Sequence, residues 1–87
     1  MIRYEIRLSL AENVKTFVNI MSRYHFDIDL RAGRHVVDAK SILGIFSLDL
    51  SRPIMLEIAD EQRATPEELQ KMLEEIRPFL VNETPGE

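Results

Sequence analysis

Hydrophobic and polar positions alternate along several segments of the chain. From residue 2 to residue 8 apolar side chains occupy every second position, with Arg3, Glu5 and Arg7 between them. Strict alternation indicates a β-strand with one buried face. The same pattern predicts strands at residues 26–30, 35–39 and 54–58, and Gly33 supplies the tight turn of a hairpin between the second and third. Alternation does not decide whether Val36 or Val37 faces the core.

Two other segments carry apolar residues at spacings of three and four, which is typical of helices with one buried face. Ser9 is the predicted N-cap of the first helix, and Glu12 would complete a capping box. Thr65, Pro66 and Glu68 form a second capping box, with proline at the first helical position. The predicted core positions of these helices are Val14, Phe17, Val18, Met21 and Tyr24 in the first and Leu69, Met72, Leu73 and Ile76 in the second.

An apolar-rich segment at residues 41–48 predicts a shorter helix between them, although it contains Gly44. Pro78 should end the last helix near Arg77, and residues 79–87 should form a tail that is frayed at 82–87. The resulting order is β-α-β-β-α-β-α. It predicts a single α+β domain over residues 1–87, an open-faced sandwich with three helices on one face of a four-stranded antiparallel sheet.

The amino-acid composition and the net charge exclude several kinds of function. There is no cysteine, so a disulfide framework and a thiolate metal site are excluded, and no metal-ligand spacing or cofactor loop is found. No apolar run is long enough to span a membrane, and the N-terminus lacks a signal-peptide pattern, so we expect a cytoplasmic protein. The formal net charge of −4 argues against nucleic-acid binding. No nucleophile converges with an acid–base set, so we do not expect an enzyme.

The segment Ala-Lys-Ser-Ile-Leu-Gly-Ile-Phe-Ser-Leu at residues 39–48 resembles the regulatory-serine segment of HPr, the histidine-containing phosphocarrier of the bacterial sugar phosphotransferase system. Residues 22–30 resemble the end of the family's first helix and its second strand, and Gly33 stands where the family has a hairpin glycine. The element order agrees as well. The resemblance implies the HPr-like open-faced sandwich over nearly the whole chain.

The family's phosphotransfer motif is altered. Where the family has a Gly-Ile-His-Ala-Arg-Pro-Ala type motif, an alignment without gaps places residues 8–14 of this chain. Leu10 takes the histidine position, Glu12 the arginine position and Asn13 the proline position. Leucine has no lone pair to accept a phosphoryl group, and glutamate repels phosphate. The two histidines, His25 and His35, should lie too far away to substitute, so the chain is expected not to carry phosphate.

Ser41 matches the serine that a kinase phosphorylates in HPr of many Gram-positive bacteria and in a related protein without the histidine; the phosphorylated form binds a transcription regulator. The resemblance therefore makes Ser41 a candidate regulatory phosphorylation site. A simpler interpretation is that Ser41 is only the N-cap of the short helix. Glu12 weakens the regulatory interpretation, because the family's arginine at that position helps to engage the phosphoserine.

The resemblance also implies a partner-binding surface on the starts of the first and second helices. An exposed apolar patch usually marks an interaction site, and Leu10 makes this surface more apolar. We expect Leu10, Leu43, Ile42 and Phe46 to be exposed together, with inward packing of Ile42 or Phe46 as the alternative. The predicted partner-binding residues are Leu10, Glu12, Lys15, Lys40, Ile42, Leu43 and Phe46.

Two functions remain open at this point. The first is a regulatory module that binds another protein (a phosphotransferase-system component, a serine kinase or a transcription regulator) and is controlled at Ser41. The second is a degenerate subunit or decoy that docks constitutively to enzyme I or to a permease domain. The first function requires Ser41, whereas the second requires only the apolar surface.

Overall fold

One antiparallel sheet organises the protein. The computed structural model describes residues 1–81. The strands are β1 (Ile2–Ile6), β2 (Asp29–Ala32), β3 (His35–Asp38) and β4 (Ile54–Ile58). They lie side by side in the order β1-β4-β2-β3, and every neighbouring pair is antiparallel. The strand count and direction agree with the sequence prediction.

Helices cover one face of this sheet. They are α1 (Ala11–Met21), α2 (Ile42–Phe46) and α3 (Pro66–Ile76), and single 3₁₀ turns lie at Glu61–Arg63 and Arg77–Phe79. The predicted order β-α-β-β-α-β-α and the α+β open-faced sandwich are therefore confirmed. None of the helices among residues 1–81 is long and apolar enough to cross a membrane.

The core fills the space between the helices and the inner face of the sheet. Central side chains such as Leu30, Leu56 and Phe17 are fully buried. On β3 it is Val37 that packs against this core, whereas Val36 is 44% exposed on the opposite face. The structure thus settles the choice that alternation left open.

The predicted cap of α1 is wrong. The strand β1 ends at Ile6 and not at residue 8, although Leu8 remains buried as its alternation predicts. Helix α1 starts after Leu10, which occupies the N-cap position and makes no side-chain cap hydrogen bond. Ser9 lies one residue too early to cap the helix, so Ser9 and Glu12 do not form the expected capping box.

The cap of α3, in contrast, is confirmed. The Thr65 hydroxyl accepts a hydrogen bond from the Glu68 N–H at 3.0 Å, and the Glu68 carboxylate accepts one from the Thr65 N–H at 2.9 Å. Pro66 stands at the first helical position, where a missing N–H costs nothing. The helix ends at Ile76 with Arg77 as its C-cap, which confirms the predicted end near Arg77.

Two further elements, β2 and α2, are shorter than predicted. Phe26 and Ile28 are buried, but β2 begins only at Asp29, where pairing with Glu57 of β4 starts. Helix α2 covers Ile42–Phe46 instead of residues 41–48. The hairpin between β2 and β3 has the predicted tight turn, and Gly33 adopts a φ of 62°, which favours glycine.

The first residues of the predicted tail after α3 pack against the rest of the protein. Phe79 is 7% exposed, and its ring meets Phe17 edge to face with 6.0 Å between centroids. Leu80 then forms an antiparallel bridge with Ile6, and the Val81 N–H donates to the Glu5 carbonyl at 3.0 Å. Residues 77–81 therefore belong to the fold. The predicted fraying of residues 82–87 lies outside the described residues.

Candidate functional site

The junction between β1 and α1 is where the family motif would carry its histidine. Leu10 stands here as the first residue before the helix, and its side chain is 62% exposed. Glu12, in the first turn of α1, is exposed, and Asn13 is partly buried. The junction therefore presents an apolar side chain beside a carboxylate.

Helix α2 is held in place by its own polar groups. The Ser41 hydroxyl accepts a hydrogen bond from the Gly44 N–H at 3.1 Å, and the Ser47 hydroxyl donates to the Gly44 carbonyl at 2.5 Å. A Cβ on Gly44 would stand 3.2 Å from the Val37 Cβ, so glycine allows α2 to approach β3 closely. Ser41 is thus a helix cap in this structure, as the simpler interpretation predicted.

Three large apolar side chains of these elements are exposed. Leu10 is 62% exposed, Leu43 80% and Phe46 45%. Ile42 is partly buried and packs against the core, in keeping with the alternative of inward packing. Leu10 stands at the start of α1, Leu43 and Phe46 lie on α2, and the two helices contact each other. We call Leu10, Leu43 and Phe46 the apolar face.

The two lysines predicted for this region differ in their surroundings. Lys15 is exposed on α1. The Lys40 ammonium donates a hydrogen bond to the Phe26 carbonyl at 3.0 Å, and the Lys40 N–H donates to the Asp38 carboxylate at 2.8 Å. Lys40 is therefore anchored to the loop before β2.

The two histidines lie on different elements, and neither belongs to the junction of β1 and α1. His25 follows the C-terminal end of α1, and that helix is about 16 Å long. Its Nε2 atom is 3.3 Å from a carboxylate oxygen of Glu68, so it connects the α1 end to the start of α3. His35 is the first residue of β3 and is exposed.

The sequence reasoning missed two polar clusters. Glu75 accepts hydrogen bonds from the Tyr24 hydroxyl at 2.5 Å and from Arg23 at 2.6 Å. Glu57 is only 4% exposed and lies between Arg3 and Arg31 on the sheet face opposite the core. In the sequence, Glu57 alternates with apolar residues of a predicted strand, and Glu75 lies outside the apolar stripe of the last predicted helix. Only the strand register and the helix packing show which cations approach them.

Comparison with known proteins agrees with this architecture. A sequence signature described as the PTS HPr component phosphorylation site matches residues 11–80. The crystal structure of a phosphocarrier protein HPr from Bacillus anthracis str. Ames is similar, with a TM-score of 0.53 and 26% sequence identity. The match covers 86% of this chain and 95% of that one. No curated protein matched the chain significantly.

The fold and the signature define a small α+β protein of the phosphocarrier class. The chain belongs to the HPr family of the phosphotransferase system. The predicted family resemblance is thereby confirmed.

Proposed function

We propose that this HPr-family protein is a cytoplasmic regulatory module that binds another protein and does not carry phosphate on a histidine. The main support for this proposal is that an exposed leucine, Leu10, stands at the junction of β1 and α1. An alkyl side chain cannot form a bond to phosphorus. The exposed carboxylate of Glu12 in the adjacent turn would repel a phosphoryl group brought there by a donor protein.

The apolar face supports binding as the remaining activity. Leu43 buries little of its side chain in the protein's own core, so its exposure costs free energy that a partner's surface would recover. Apolar anchors surrounded by polar residues are typical of protein interfaces. The family implies partners from the phosphotransferase system, so we expect enzyme I or a permease domain to dock on Leu10, Leu43 and Phe46.

A nuclear magnetic resonance titration tests this proposal. The labelled protein is mixed with unlabelled enzyme I, and separately with a permease domain, from the same cell. We expect shifts in the amide signals of α1's first turn and of α2, and loss of binding in Leu43→Ser. The matched control is Val36→Ser, which removes an exposed apolar side chain from the opposite face. Equal binding by both variants would contradict docking on the apolar face.

Control by phosphorylation at Ser41 is the second part of the proposal. The family resemblance of residues 39–48 supports it. The Ser41 hydroxyl is partly buried and bonded to the Gly44 N–H, so a kinase must first draw it away from its capping position. A phosphate there would lie at the N-terminus of α2, where free N–H groups and the helix dipole favour an anion. Phosphorylation would therefore change the charge at the start of α2, beside Leu43 of the apolar face.

Peptide mapping after incubation with ATP and an HPr serine kinase tests this part separately. Phosphate on the Ser41 peptide, absent in Ser41→Ala and present in Ser47→Ala, would establish the regulated module. An unmodified protein that still binds enzyme I or a permease domain would instead favour the constitutive subunit or decoy.

A further inference from the structure

Strand β3 is an uncovered edge of the sheet. In the order β1-β4-β2-β3 it pairs on one side only, with β2. The opposite edge differs, because the bridge of Leu80 to Ile6 and the bond from the Val81 N–H to the Glu5 carbonyl cover the end of β1. Within residues 1–81 no strand or bridge lies along the outer side of β3. An open edge of this kind can pair with a strand of another chain.

The central backbone groups of this edge belong to Val36. Just after β3, the Ala39 N–H donates to the Ile28 carbonyl at 2.9 Å, so the odd-numbered residues of this segment are those that bond to the β2 side. Hydrogen bonding alternates along an antiparallel strand, and the N–H and carbonyl of Val36 therefore point away from β2. The Val36 side chain is 44% exposed on the sheet face opposite the core. One residue thus presents a donor, an acceptor and an apolar side chain at the edge.

Residues of opposite charge flank Val36 at equal distance along the chain. Arg34 stands two positions before it and Asp38 two positions after it, and both are exposed. Neither forms an ion pair within residues 1–81. The Asp38 carboxylate accepts a hydrogen bond from the Lys40 N–H at 2.8 Å, which orients it without neutralising its charge. The edge is therefore positive at one end, apolar in the middle and negative at the other end.

From this arrangement we infer that β3 pairs antiparallel with β3 of a second copy of this chain, with Val36 on the two-fold axis. A strand that reads positive, apolar, negative is complementary to itself when one copy is reversed. Each Val36 N–H then donates to the Val36 carbonyl of the other copy, and each Arg34 faces the other copy's Asp38. A pair centred on Val37 would instead set Val36 against the Asp38 carboxylate, so the side chains favour the register centred on Val36.

The short edge predicts a weak dimer. Strand β3 has four residues, and so short a contact buries far less than the roughly 1,200 Å² of a stable complex. The association should therefore depend on protein concentration. It uses no residue of the apolar face, so it is independent of the proposed docking to other proteins.

Sedimentation velocity of the full chain, without other proteins and over a wide range of concentrations, tests the inference. We expect the sedimentation coefficient to rise with concentration, and a half-labelled sample to show magnetisation transfer between the Val36 methyl groups of two copies. Arg34→Glu should weaken the association by about tenfold or more, because like charges then face each other in both flanking pairs. The matched control is Arg63→Glu, which makes the same charge change on the exposed 3₁₀ turn after β4 and should associate as the unaltered protein does.

A mixing experiment distinguishes lost pairing from misfolding. Asp38→Lys should also fail to associate with itself, whereas an equal mixture of Arg34→Glu and Asp38→Lys should recover the dimer, because opposite charges then face each other at both ends. If Asp38→Lys does not fold, Asp38→Asn takes its place, since its amide oxygen can still accept the Lys40 N–H, and it should weaken the association. Three results would overturn the inference: an unaltered protein that stays monomeric at its highest soluble concentration, equal association of Arg34→Glu and Arg63→Glu, or folded charge variants that do not associate when mixed.

Discussion

The Tyr24 hydroxyl donates a 2.5 Å hydrogen bond to Oε1 of Glu75, and this contact joins the chain just after α1 to the last turn of α3. Arg23 holds the other oxygen of the same carboxylate at 2.6 Å. Burial of Tyr24, together with the bond and the negative charge of Glu75, raises the pKa of its phenol. The two long helices are thus connected by a charged hydrogen bond at one end of the bundle.

Loss of this hydrogen bond should be measurable. We predict that Tyr24→Phe lowers the free energy of unfolding by about 1–2 kcal/mol, because it keeps the buried ring and removes a bond to a charged acceptor. Denaturation in urea measures the difference. The control is Tyr4→Phe, since the Tyr4 hydroxyl makes no hydrogen bond within residues 1–81. Equal effects of the two changes would show that the Tyr24 contact contributes no specific stability.

The same carboxylate predicts a dependence of stability on pH. The hydrogen bond from Tyr24, followed by the charge of Arg23, lowers the pKa of Glu75 from its ordinary value of 4.5. A lowered pKa in the folded state contributes stability above pH 4.5, and this contribution is lost as the pH falls through the folded value. Glu75→Gln should therefore be less stable than the unaltered protein at pH 7, and the difference should shrink in acid. A difference that stays constant with pH would contradict this origin.

Ionisation of Asp29 should destabilise the folded protein, whereas ionisation of Glu75 stabilises it. Burial raises the pKa of its carboxyl, and the charges of Asp38, Asp27 and Glu57 raise it further. A raised folded pKa means that ionised Asp29 costs stability at neutral pH. We predict that Asp29→Asn is more stable than the unaltered protein at pH 7, and that this gain disappears as the pH falls below the ordinary carboxyl value of 3.8.

Thermal unfolding at several pH values tests the Asp29 prediction. Asp60→Asn is a suitable control, because Asp60 is exposed in the loop after β4. It should leave the melting temperature nearly unchanged. A destabilised Asp29→Asn at pH 7 would mean that the carboxylate makes a favourable contact in the folded protein.

The segment after α3 should be essential to the fold. Phe79→Ala is expected to cost about 3 kcal/mol or more, because it removes a buried aromatic ring from its contact with Phe17. Val81→Ala, at a position that is 43% exposed, should cost much less. Chemical denaturation of both variants measures the contrast. If Phe79→Ala unfolds entirely, Phe79→Leu should recover most of the loss.

The elements that could be predicted correctly from the sequence are those whose signals come from residues close together in the chain. Thr65, Pro66 and Glu68 are close in the chain, so the start of α3 could be assigned before any packing was known. The start of α1 could not, because Ser9 and Glu12 match a capping box by spacing alone, whereas the path of the chain after β1 puts Leu10 at the N-cap.

Burial of polar residues and of the C-terminal segment depends on distant partners. Alternation correctly placed Glu57 opposite the core, but its cover by two arginines follows from the β1-β4-β2 register. Phe79 follows a proline and has no periodic apolar neighbours, so its packing against Phe17 left no sequence signal. At the candidate site, the exposure of Leu10 and Leu43 was expected. The anchoring of Lys40 to the Phe26 carbonyl was not.

The most direct test of the central claim is a phosphotransfer assay with phosphoenolpyruvate and enzyme I, followed by intact mass and peptide mapping at alkaline pH, where phosphohistidine survives. A histidine-bearing HPr in the same mixture serves as the positive control. We predict that the control gains one phosphoryl group and that this protein gains none, because Leu10 cannot accept it and neither His25 nor His35 belongs to the junction of β1 and α1. A phosphoryl group on either histidine would contradict this prediction and would make the protein a carrier with a relocated acceptor.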